Sequence, residues 1–324
     1  MSTLPFQWLP FEKPIMQVQN EIERLQEKAA AGNGKYAAQI KKLEEKKREL
    51  QREIFSRLTP YQKVQLARHP RRPYTLDYVT RIFEDFIELH GDRRFGDDHA
   101  IVAGMAKFHG MGVLVVGHQK GRTTQERQYR NFAMAHPEGY RKSGRLMEMA
   151  ERLGMPIIVF VDTPCAACLE DAENRGICEA IAASQMLMFP LKVPIIVIVI
   201  GEGGSGGAIA VGVGDVVIML EYSIYSVIPP EGCASIVWRD SSFADRAAEA
   251  LKLTADSALE LGVIDEVLEE PLGGAHEDPE EMARRIEEAI ARHLERLLAK
   301  DPDELVEERY RKFRKMGVYG VASE

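Results

Sequence analysis

Gly201-Glu202-Gly203-Gly204-Ser205-Gly206-Gly207 is the run of this chain richest in glycine, and it lies between the apolar run Val193–Ile200 and the small-residue run Ala208–Gly214. An apolar run that ends in glycines and small residues is typical of a strand that turns into a short buried helix. Glycine permits close approach of other groups, and the N–H groups at the start of a helix have no partner within the helix. The stretch therefore predicts a site for an anion or an oxyanion.

A dinucleotide-binding motif and a hydrolase motif also match this stretch. Gly201-x-Gly203-x-x-Gly206, with Glu221 after the next apolar run, satisfies the dinucleotide-binding pattern, although a helix over Gly207–Val213 is short for a crossover between parallel strands. Gly203-x-Ser205-x-Gly207 matches the nucleophile-elbow pattern, which requires a later carboxylate and then a histidine. The only histidines downstream are His276 and His293, both in polar surroundings.

Two further interpretations use only the backbone of the stretch. The N–H groups of Gly206 and Gly207 are placed to form an oxyanion hole, where fixed donors stabilise charge that develops on a carbonyl oxygen. Alternatively, the glycines only allow tight packing of a buried helix. The residues alone favour the oxyanion hole and leave the other interpretations open.

Composition limits the class of protein. The chain has 324 residues, of which 45% are hydrophobic, enough for a sizeable core, and its formal net charge of −8 argues against bulk binding to nucleic acid. No apolar run is long enough to span a membrane, since Val193–Ile200 is bounded by Lys192 and Glu202. Met1–Pro10 lacks the pattern of an export signal, so we expect a cytoplasmic protein.

Four cysteines form an incomplete metal pattern. Cys165-x-x-Cys168 and Cys178 resemble part of a metal or redox motif, but no second pair and no nearby histidine completes it. We therefore expect Cys165, Cys168, Cys178 and Cys233 to be reduced thiols, buried or half-buried, and predict no metal site in this chain.

The pattern of elements predicts a helical N-terminus, an α/β core and a helical C-terminus. Apolar residues spaced by three and four predict two antiparallel helices on either side of Gly32-Asn33-Gly34. In the core, strands are followed by helices, which looks like a spiral of ββα units with helices outside stacked sheets. We predict an N-terminal hairpin and linker over residues 1–73, a core over 74–272 and a C-terminal helical extension over 273–324.

The predicted core and C-terminal elements are definite enough to be tested. They are a helix over Thr75–Leu89, strands Ile101–Phe108 and Gly112–His118, a helix over Gly139–Arg152, the strand Pro156–Val161, a helix over Asn174–Met188, strands Val193–Ile200 and Asp215–Leu220, a helix over Phe243–Gly262, and helices Pro279–Lys300 and Pro302–Met316.

A series of short motifs in order gives the sequence a family resemblance. They are Arg57-Leu-Thr-Pro60, Val64-Gln-Leu-Ala-Arg-His-Pro70, Arg72-Pro-Tyr-Thr-Leu-Asp-Tyr78, His90-Gly-Asp-Arg93, Gly117-His-Gln-Lys-Gly-Arg122, His136-Pro-Glu-Gly-Tyr-Arg-Lys142, the Gly201–Gly207 run, Tyr225-Ser-Val-Ile228, Pro230-Glu-Gly-Cys-Ala-Ser235 and Glu270-Pro-Leu-Gly-Gly-Ala-His276. From about residue 11 to residue 320, the chain resembles the carboxyltransferase alpha subunit of bacterial and plastid acetyl-CoA carboxylase.

The resemblance implies a fold, a reaction and partners. It implies a crotonase-like ββα spiral that transfers a carboxyl group from carboxybiotin to acetyl-CoA, giving malonyl-CoA. The implied partners are a carboxyltransferase beta subunit in an α2β2 assembly, a biotin carboxyl carrier protein that holds the biotin, and a separate biotin carboxylase that uses ATP. The beta subunit would contribute most of the acyl-CoA site and a zinc ribbon, so the resemblance implies no metal in this chain.

The same resemblance assigns the site residues. Gly206 and Gly207 would stabilise the charge on the ureido oxygen of biotin when its N1 gives up the carboxyl group. The residues expected to bind biotin or substrate are Gly203, Gly204, Ser205, Lys120, Arg122, Cys165 and Ala166. Lys120 and Arg122 are equally consistent with a charged surface loop, and neither Lys120 nor His118 has an evident acid–base partner in the sequence.

One segment departs from the family pattern. After Val161-Asp162-Thr163-Pro164, the family carries a Gly-Ala-Tyr-Pro-Gly-like stretch, whereas this chain reads Cys165-Ala-Ala-Cys-Leu-Glu-Asp-Ala172. The change falls in a loop, so we expect the fold to be kept and biotin positioning or acyl selection to be affected. Two alternatives follow: a carboxyltransferase or decarboxylase for another acyl-CoA, or a catalytically silent scaffold subunit.

Overall fold

The computed structural model describes residues 8–30 and 36–317. Its helices are α1 (Lys13–Ala30), α2 (Ala37–Phe55), α3 (Pro60–Ala67), α4 (Thr75–Ile82), α5 (Thr124–Tyr129), α6 (Pro137–Arg152), α7 (Glu170–Asn174), α8 (Ile177–Met188), α9 (Ser205–Ile209), α10 (Pro230–Trp238), α11 (Ala244–Ala250), α12 (Ala255–Glu260), α13 (Pro279–Leu298) and α14 (Pro302–Lys315). Its strands are β1 (Glu84–Glu88), β2 (Ile101–Phe108), β3 (Met111–His118), β4 (Ile157–Thr163), β5 (Ile195–Gly204), β6 (Val216–Leu220), β7 (Ile224–Ser226) and β8 (Glu266–Leu268).

The strands form one mixed sheet in the order β1-β2-β3-β4-β5-β6-β8, with β7 paired to the end of β5. β1, β2 and β3 are antiparallel, whereas β3, β4, β5, β6 and β8 are parallel to one another. The carboxyl ends of β3, β4 and β5 therefore meet at one edge of the sheet, which is where ligands bind in open parallel sheets.

Both faces of the sheet are buried, because successive side chains of β4 and β5 point to opposite sides. Val159 and Val197 belong to a core cluster that includes residues of α6 and α8. Ile158 and Ile196 belong to a second cluster that includes residues of α4 and α13. Helices on both faces of a central sheet confirm the predicted α/β class.

The first predicted helix of the core is too long. The helix predicted over Thr75–Leu89 ends at Ile82, and Phe83 is already extended, with φ −118° and ψ 152°. The rest becomes β1, which pairs antiparallel with β2. The paired edge supplies backbone hydrogen bonds that local apolar spacing does not reveal, such as that from Leu89 N to Ala103 O (2.8 Å).

Two other boundaries also differ. The predicted helix Phe243–Gly262 is divided into α11 and α12, because Lys252 has a φ of +52° and Leu253 O accepts from Tyr225 N of β7. The predicted strand Val193–Ile200 runs on to Gly204, since Glu202–Gly204 pairs with β7. Gly262 follows the end of α12 with a φ of +68°, the left-handed conformation in which glycine commonly caps a helix.

The two N-terminal helices contact each other, and the stripe Ile15, Val18, Ile22 and Leu25 of α1 is buried. The predicted turn at Gly32-Asn33-Gly34 lies outside the described residues. The division of the chain at residues 73 and 272 stays a prediction.

Glu12 makes the N-terminal segment sensitive to pH. It is buried and accepts a hydrogen bond from Leu9 N (2.8 Å), and burial raises the pKa of its carboxyl to about 7. The folded chain therefore holds this proton up to about pH 7, whereas the unfolded chain releases it near 4.5, so stability falls as pH rises through this window.

We expect the free energy of unfolding to fall by about 1–2 kcal/mol between pH 5 and pH 8 on account of Glu12, since one pKa unit corresponds to about 1.4 kcal/mol and solvent screening reduces the full value. Glu12→Gln should remove this dependence and be more stable than the wild type at pH 8. Urea unfolding at both pH values tests this, with Glu21→Gln, an exposed carboxylate of α1, as control. Identical pH profiles for Glu12→Gln and Glu21→Gln would contradict the assignment.

Candidate functional site

The glycine stretch forms the corner between β5 and α9. β5 continues to Gly204, and α9 begins at Ser205, whose φ of +51° is unusual for a residue with a side chain. Gly206 is half-buried and Gly207 is buried. The predicted strand, glycine corner and short helix are therefore present, with the helix starting two residues earlier than expected.

Gly204 and Gly207 pack directly on the backbone of the loop that follows β4. A Cβ at Gly204 would lie 2.0 Å from Pro164 O, and a Cβ at Gly207 would lie 2.7 Å from the carbonyl carbon of Cys165 and 2.8 Å from Ala166 N. Real Cβ atoms do not approach backbone this closely, so the tight-packing interpretation holds at these two positions.

Gly206 has a different environment. A Cβ there would meet only the tip of the Ile181 side chain, at 3.1 Å, so packing alone does not require glycine. Since the first N–H groups of a helix have no partner within it, the N–H groups of Gly206 and Gly207 are free to bind a ligand, and no loop or side-chain acceptor in the described part of the chain takes them. This is the chemistry of an oxyanion hole.

An apolar cavity of 490 Å³ opens beside this corner. Ser205 and Gly206 form part of its wall, together with Tyr225 of β7 and with Phe313 and Met316 from the C-terminal end of the chain. A mostly apolar cavity with a few polar donors is typical of a site for a small organic ligand.

The elbow and dinucleotide interpretations receive no support from this geometry. His276 is buried and stacked on His69, with ring centroids 3.9 Å apart, and His293 contacts Glu266; no histidine lines the cavity among the described residues. Ser205 therefore lacks the histidine that the nucleophile-elbow pattern requires. α9 has only 5 residues, which is too short to cover a parallel crossover in a dinucleotide fold.

Lys120 lies at the same edge of the sheet but is not a free cation. Its Nζ is 2.7 Å from Asp162 Oδ1 and 2.9 Å from Glu202 Oε2. Arg68 Nε adds a second ion pair to Glu202 at 2.7 Å, and the two cations lower the pKa of Glu202 to about 2 against the opposing effect of burial. The same carboxylates raise the pKa of Lys120, whereas burial raises the pKa of Asp162. Lys120 and Glu202 are therefore charged, and Lys120 is not a proton shuttle.

The other predicted polar residues are also engaged. Arg122 pairs with Asp77 at 2.5 Å and lies over the Tyr74 ring, with its guanidinium carbon 4.6 Å from the ring centroid. His118 is fully buried, and burial lowers its pKa to about 3, so it stays neutral. Binding of biotin or substrate by Lys120 and Arg122 stays a prediction.

Sequence reasoning missed Asp162 and Glu202 as partners of Lys120, and Arg68 as the second cation on Glu202. The signal was present, because Lys120, Asp162 and Glu202 each follow or end one of three consecutive apolar strands, and the carboxyl ends of parallel strands meet at one edge. Asp162 also holds the glycine stretch in place: its Oδ1 accepts from Glu202 N at 2.9 Å, and a Cβ at Gly201 would lie 2.3 Å from that oxygen.

Asp162→Asn should destabilise the chain by about 1.5–3 kcal/mol, because it removes the charge of a buried carboxylate that pairs with the half-buried Lys120. Urea unfolding measures this directly. Asp85→Asn is a matched control, since Asp85 pairs with Lys107 at the same 2.7 Å but both side chains are more than half exposed, a setting in which a pair contributes about 0–1 kcal/mol. Equal losses in the free energy of unfolding for the two substitutions would show that the Asp162–Lys120 pair stabilises the chain no more than the exposed pair does.

The cysteines are partly more exposed than expected. All four thiols are free, as predicted, but Cys168 and Cys178 are exposed, while Cys165 and Cys233 are half-buried. The expectation that all four would be buried or half-buried is therefore wrong for two of them, because Cys168 lies in a surface segment and Cys178 lies on the exposed side of α8. Ala166 is buried beside Gly207.

The chain also matches proteins of known function. The family described as "Acetyl co-enzyme A carboxylase carboxyltransferase-like" matches residues 8–317. The acetyl-coenzyme A carboxylase carboxyl transferase subunit alpha of Geobacter metallireducens is 58% identical over 308 residues, covering 95% of this chain and 96% of that protein. The same subunit of Sorangium cellulosum is 52% identical over 311 residues, covering 96% and 98%.

Solved structures share the fold at low sequence identity. Transcarboxylase 12S with methylmalonyl-coenzyme A bound has a TM-score of 0.56 and 20% identity, covering 69% of this chain and 41% of that one. A Pseudomonas malonate decarboxylase hetero-tetramer in complex with coenzyme A has a TM-score of 0.54 and 18% identity, covering 67% and 86%. These likenesses establish the fold alone and confirm the expected crotonase-like architecture.

Proposed function

The chain belongs to the family of acetyl-coenzyme A carboxylase carboxyltransferase alpha subunits, and from this we propose that its β5–α9 corner is the half-site that accepts biotin. As a member of this family it is a carboxyltransferase subunit. The observation that carries the half-site proposal is the corner at Gly206, where unpaired backbone N–H groups adjoin the apolar cavity.

The residues of the corner have distinct roles in this proposal. Carboxybiotin, when bound, supplies the carboxyl group that passes to acetyl-CoA. The N–H groups of Gly206 and Gly207 hold the negative charge that develops on the ureido oxygen, and donors fixed before the reaction need no reorganisation during it. Gly203, Gly204 and Ser205 shape the corner, and the Cys165–Ala166 peptide fixes α9 by packing on Gly207.

Lys120 and Asp162 act as positioning residues in this scheme. They anchor the amide of Glu202, which precedes the glycines, and they hold no proton that the reaction needs. The described residues that line the cavity include no carboxylate and no histidine, which is consistent with a reaction in which biotin accepts the acetyl-CoA proton.

We further propose the full set of partners: a beta subunit in an α2β2 assembly, a biotin carboxyl carrier protein and a separate biotin carboxylase, in the cytoplasm. The beta subunit would supply the acyl-CoA half-site and a zinc ribbon, and ATP would be used only by the biotin carboxylase. Exposed apolar side chains support an obligate partner, including Val227 (75% exposed), which lines the cavity beside Gly206, and Ile236 of α10 (73% exposed). No helix in the described residues has the length and apolarity to cross a membrane.

The test is reconstitution with the beta subunit from the same genome. Malonyl-CoA-dependent carboxylation of free biotin, the reverse reaction, should appear in the mixture and not with either subunit alone. Activity of this chain alone would contradict a split enzyme. A stable complex without carboxylation activity would contradict acetyl-CoA as the acyl acceptor. Competition by other acyl-CoA esters would then distinguish a carboxyltransferase for another substrate from a catalytically silent scaffold.

A further inference from the structure

The loop that joins β4 to α7 lies against the glycine corner. Its Cys165–Ala166 peptide packs on Gly207, and its Pro164 carbonyl packs on Gly204. Thr163 Oγ1 donates to Cys165 O at 2.7 Å, which fixes the inner end of the loop. Any movement of Cys165 is therefore passed to the backbone that carries the N–H donors.

The same loop carries two thiols that interact. Cys165 and Cys168 are separated by two residues of this loop, and burial together with the neighbouring Cys168 raises the pKa of Cys165. Cys165 is half-buried and Cys168 is exposed, so one thiol is open to solvent while the other lies against the corner. Cys178 and Cys233 are free thiols elsewhere on the chain.

We propose that Cys165 and Cys168 are a modification site, a dithiol that hydroperoxides oxidise to a disulfide, and that this disulfide halts carboxyl transfer at the adjacent glycine corner. The second half of this inference rests on the proposed function of the corner. The first half does not, since the disulfide forms or fails to form regardless of what the protein catalyses.

The chemistry balances with a hydroperoxide as the oxidant. The Cys168 thiolate attacks one oxygen of hydrogen peroxide, which breaks the O–O bond, gives a sulfenic acid and releases the other oxygen as water. The Cys165 thiolate then attacks the Cys168 sulfur, which forms the S–S bond and releases the sulfenic oxygen as a second water. Two thiols lose two protons and two electrons, and one peroxide is reduced to two waters.

The disulfide affects the corner because its geometry is stricter than that of a thiol pair. Bonded sulfurs lie about 2.05 Å apart, closer than two thiols in contact, so the two cysteines must draw together. A shift of Cys165 is passed to Gly207, because the Cys165–Ala166 peptide packs directly on that glycine. A misplacement of about 1 Å in a catalytic site costs about 10²-fold in rate, which is the loss expected on oxidation.

The experiment uses the reconstituted complex with its beta subunit, treated with hydrogen peroxide and then with dithiothreitol. We expect a mass loss of two hydrogens, a Cys165–Cys168 disulfide in the peptide map, about 10²-fold loss of carboxyl transfer, and recovery after reduction. Cys168→Ser should keep its activity after peroxide. Cys178→Ser, which removes an exposed thiol outside the loop, should be inactivated like the wild type.

Three results would overturn the inference. The peptide map could show no Cys165–Cys168 disulfide, the disulfide could form without loss of activity, or Cys168→Ser could be inactivated as fully as the wild type. A reduced complex that has no carboxyl-transfer activity at all would instead count against the proposed function, while the peptide map would still decide whether the dithiol oxidises.

Discussion

Gly207→Val should abolish carboxyl transfer in the reconstituted enzyme while the subunits still assemble. A side chain at this position meets the Cys165–Ala166 peptide, with the first carbon 2.7 Å from the Cys165 carbonyl carbon, and backbone on both sides cannot rotate away as a side chain tip can. The loop or α9 must move, and the N–H donors move with it. Loss of a single oxyanion-hole donor typically costs about 10²–10³-fold in rate, so we expect at least that loss.

Activity is measured as malonyl-CoA-dependent carboxylation of biotin, and assembly as co-elution with the beta subunit. Gly96→Val is the matched control, because a Cβ at Gly96 meets nothing within 4 Å. It should behave as the wild type. Normal turnover of Gly207→Val would remove Gly207 from the site, and failure of Gly207→Val to bind the beta subunit would make its role structural.

Gly206→Ala is a second test of the same site that changes the structure less. Its Cβ would meet only the end of the Ile181 side chain, which can adjust, so Gly206→Ala should fold normally. Since Gly206 lines the cavity, the added methyl group reduces the space beside the N–H donors. A loss of activity in Gly206→Ala with unchanged stability would locate the effect in the cavity and not in the packing of the corner.

The parts of this site that depend on local sequence pattern could be predicted from the sequence. The runs around Ile158 and Ile196 are wholly apolar, which indicates strands buried on both faces, and glycines after the second run predict the corner. β1 and β7 were not predicted, because a short edge strand and a 3-residue strand are stabilised by pairing with distant residues and carry little local signal.

The contacts that give the corner its shape could not be predicted for the same reason. Cys165 and Gly207 are far apart in sequence, and their contact depends on the register of β4 against β5. Lys120 likewise meets Asp162 and Glu202 only because three strand ends converge. The sequence motifs identify the residues of the site. The pairing of the strands determines which of their charged side chains already have a partner.

Arg309→Met should have the largest effect on stability. Arg309 is fully buried on α14 and forms a bidentate pair with Asp215, from Nε and from one terminal nitrogen, both at 2.8 Å. The guanidinium also donates to the carbonyl oxygens of Met188, Leu191 and Val193. Removal of one partner leaves a buried charge and several buried carbonyls unpaired, which typically costs about 3–5 kcal/mol.

Urea unfolding tests this value, with Arg311→Met as control on the same helix. Arg311 is exposed and pairs with Glu307 one turn away, at 2.7 Å, so its loss should cost less than about 0.5 kcal/mol. Arg309→Met should also reduce carboxyl transfer, because Phe313 and Met316, which follow Arg309, form one wall of the cavity beside Gly206. If Arg309→Met unfolds at the same urea concentration as Arg311→Met, the buried carboxylate and carbonyls must have other partners, and the C-terminal helix does not depend on Arg309 for its place against the site.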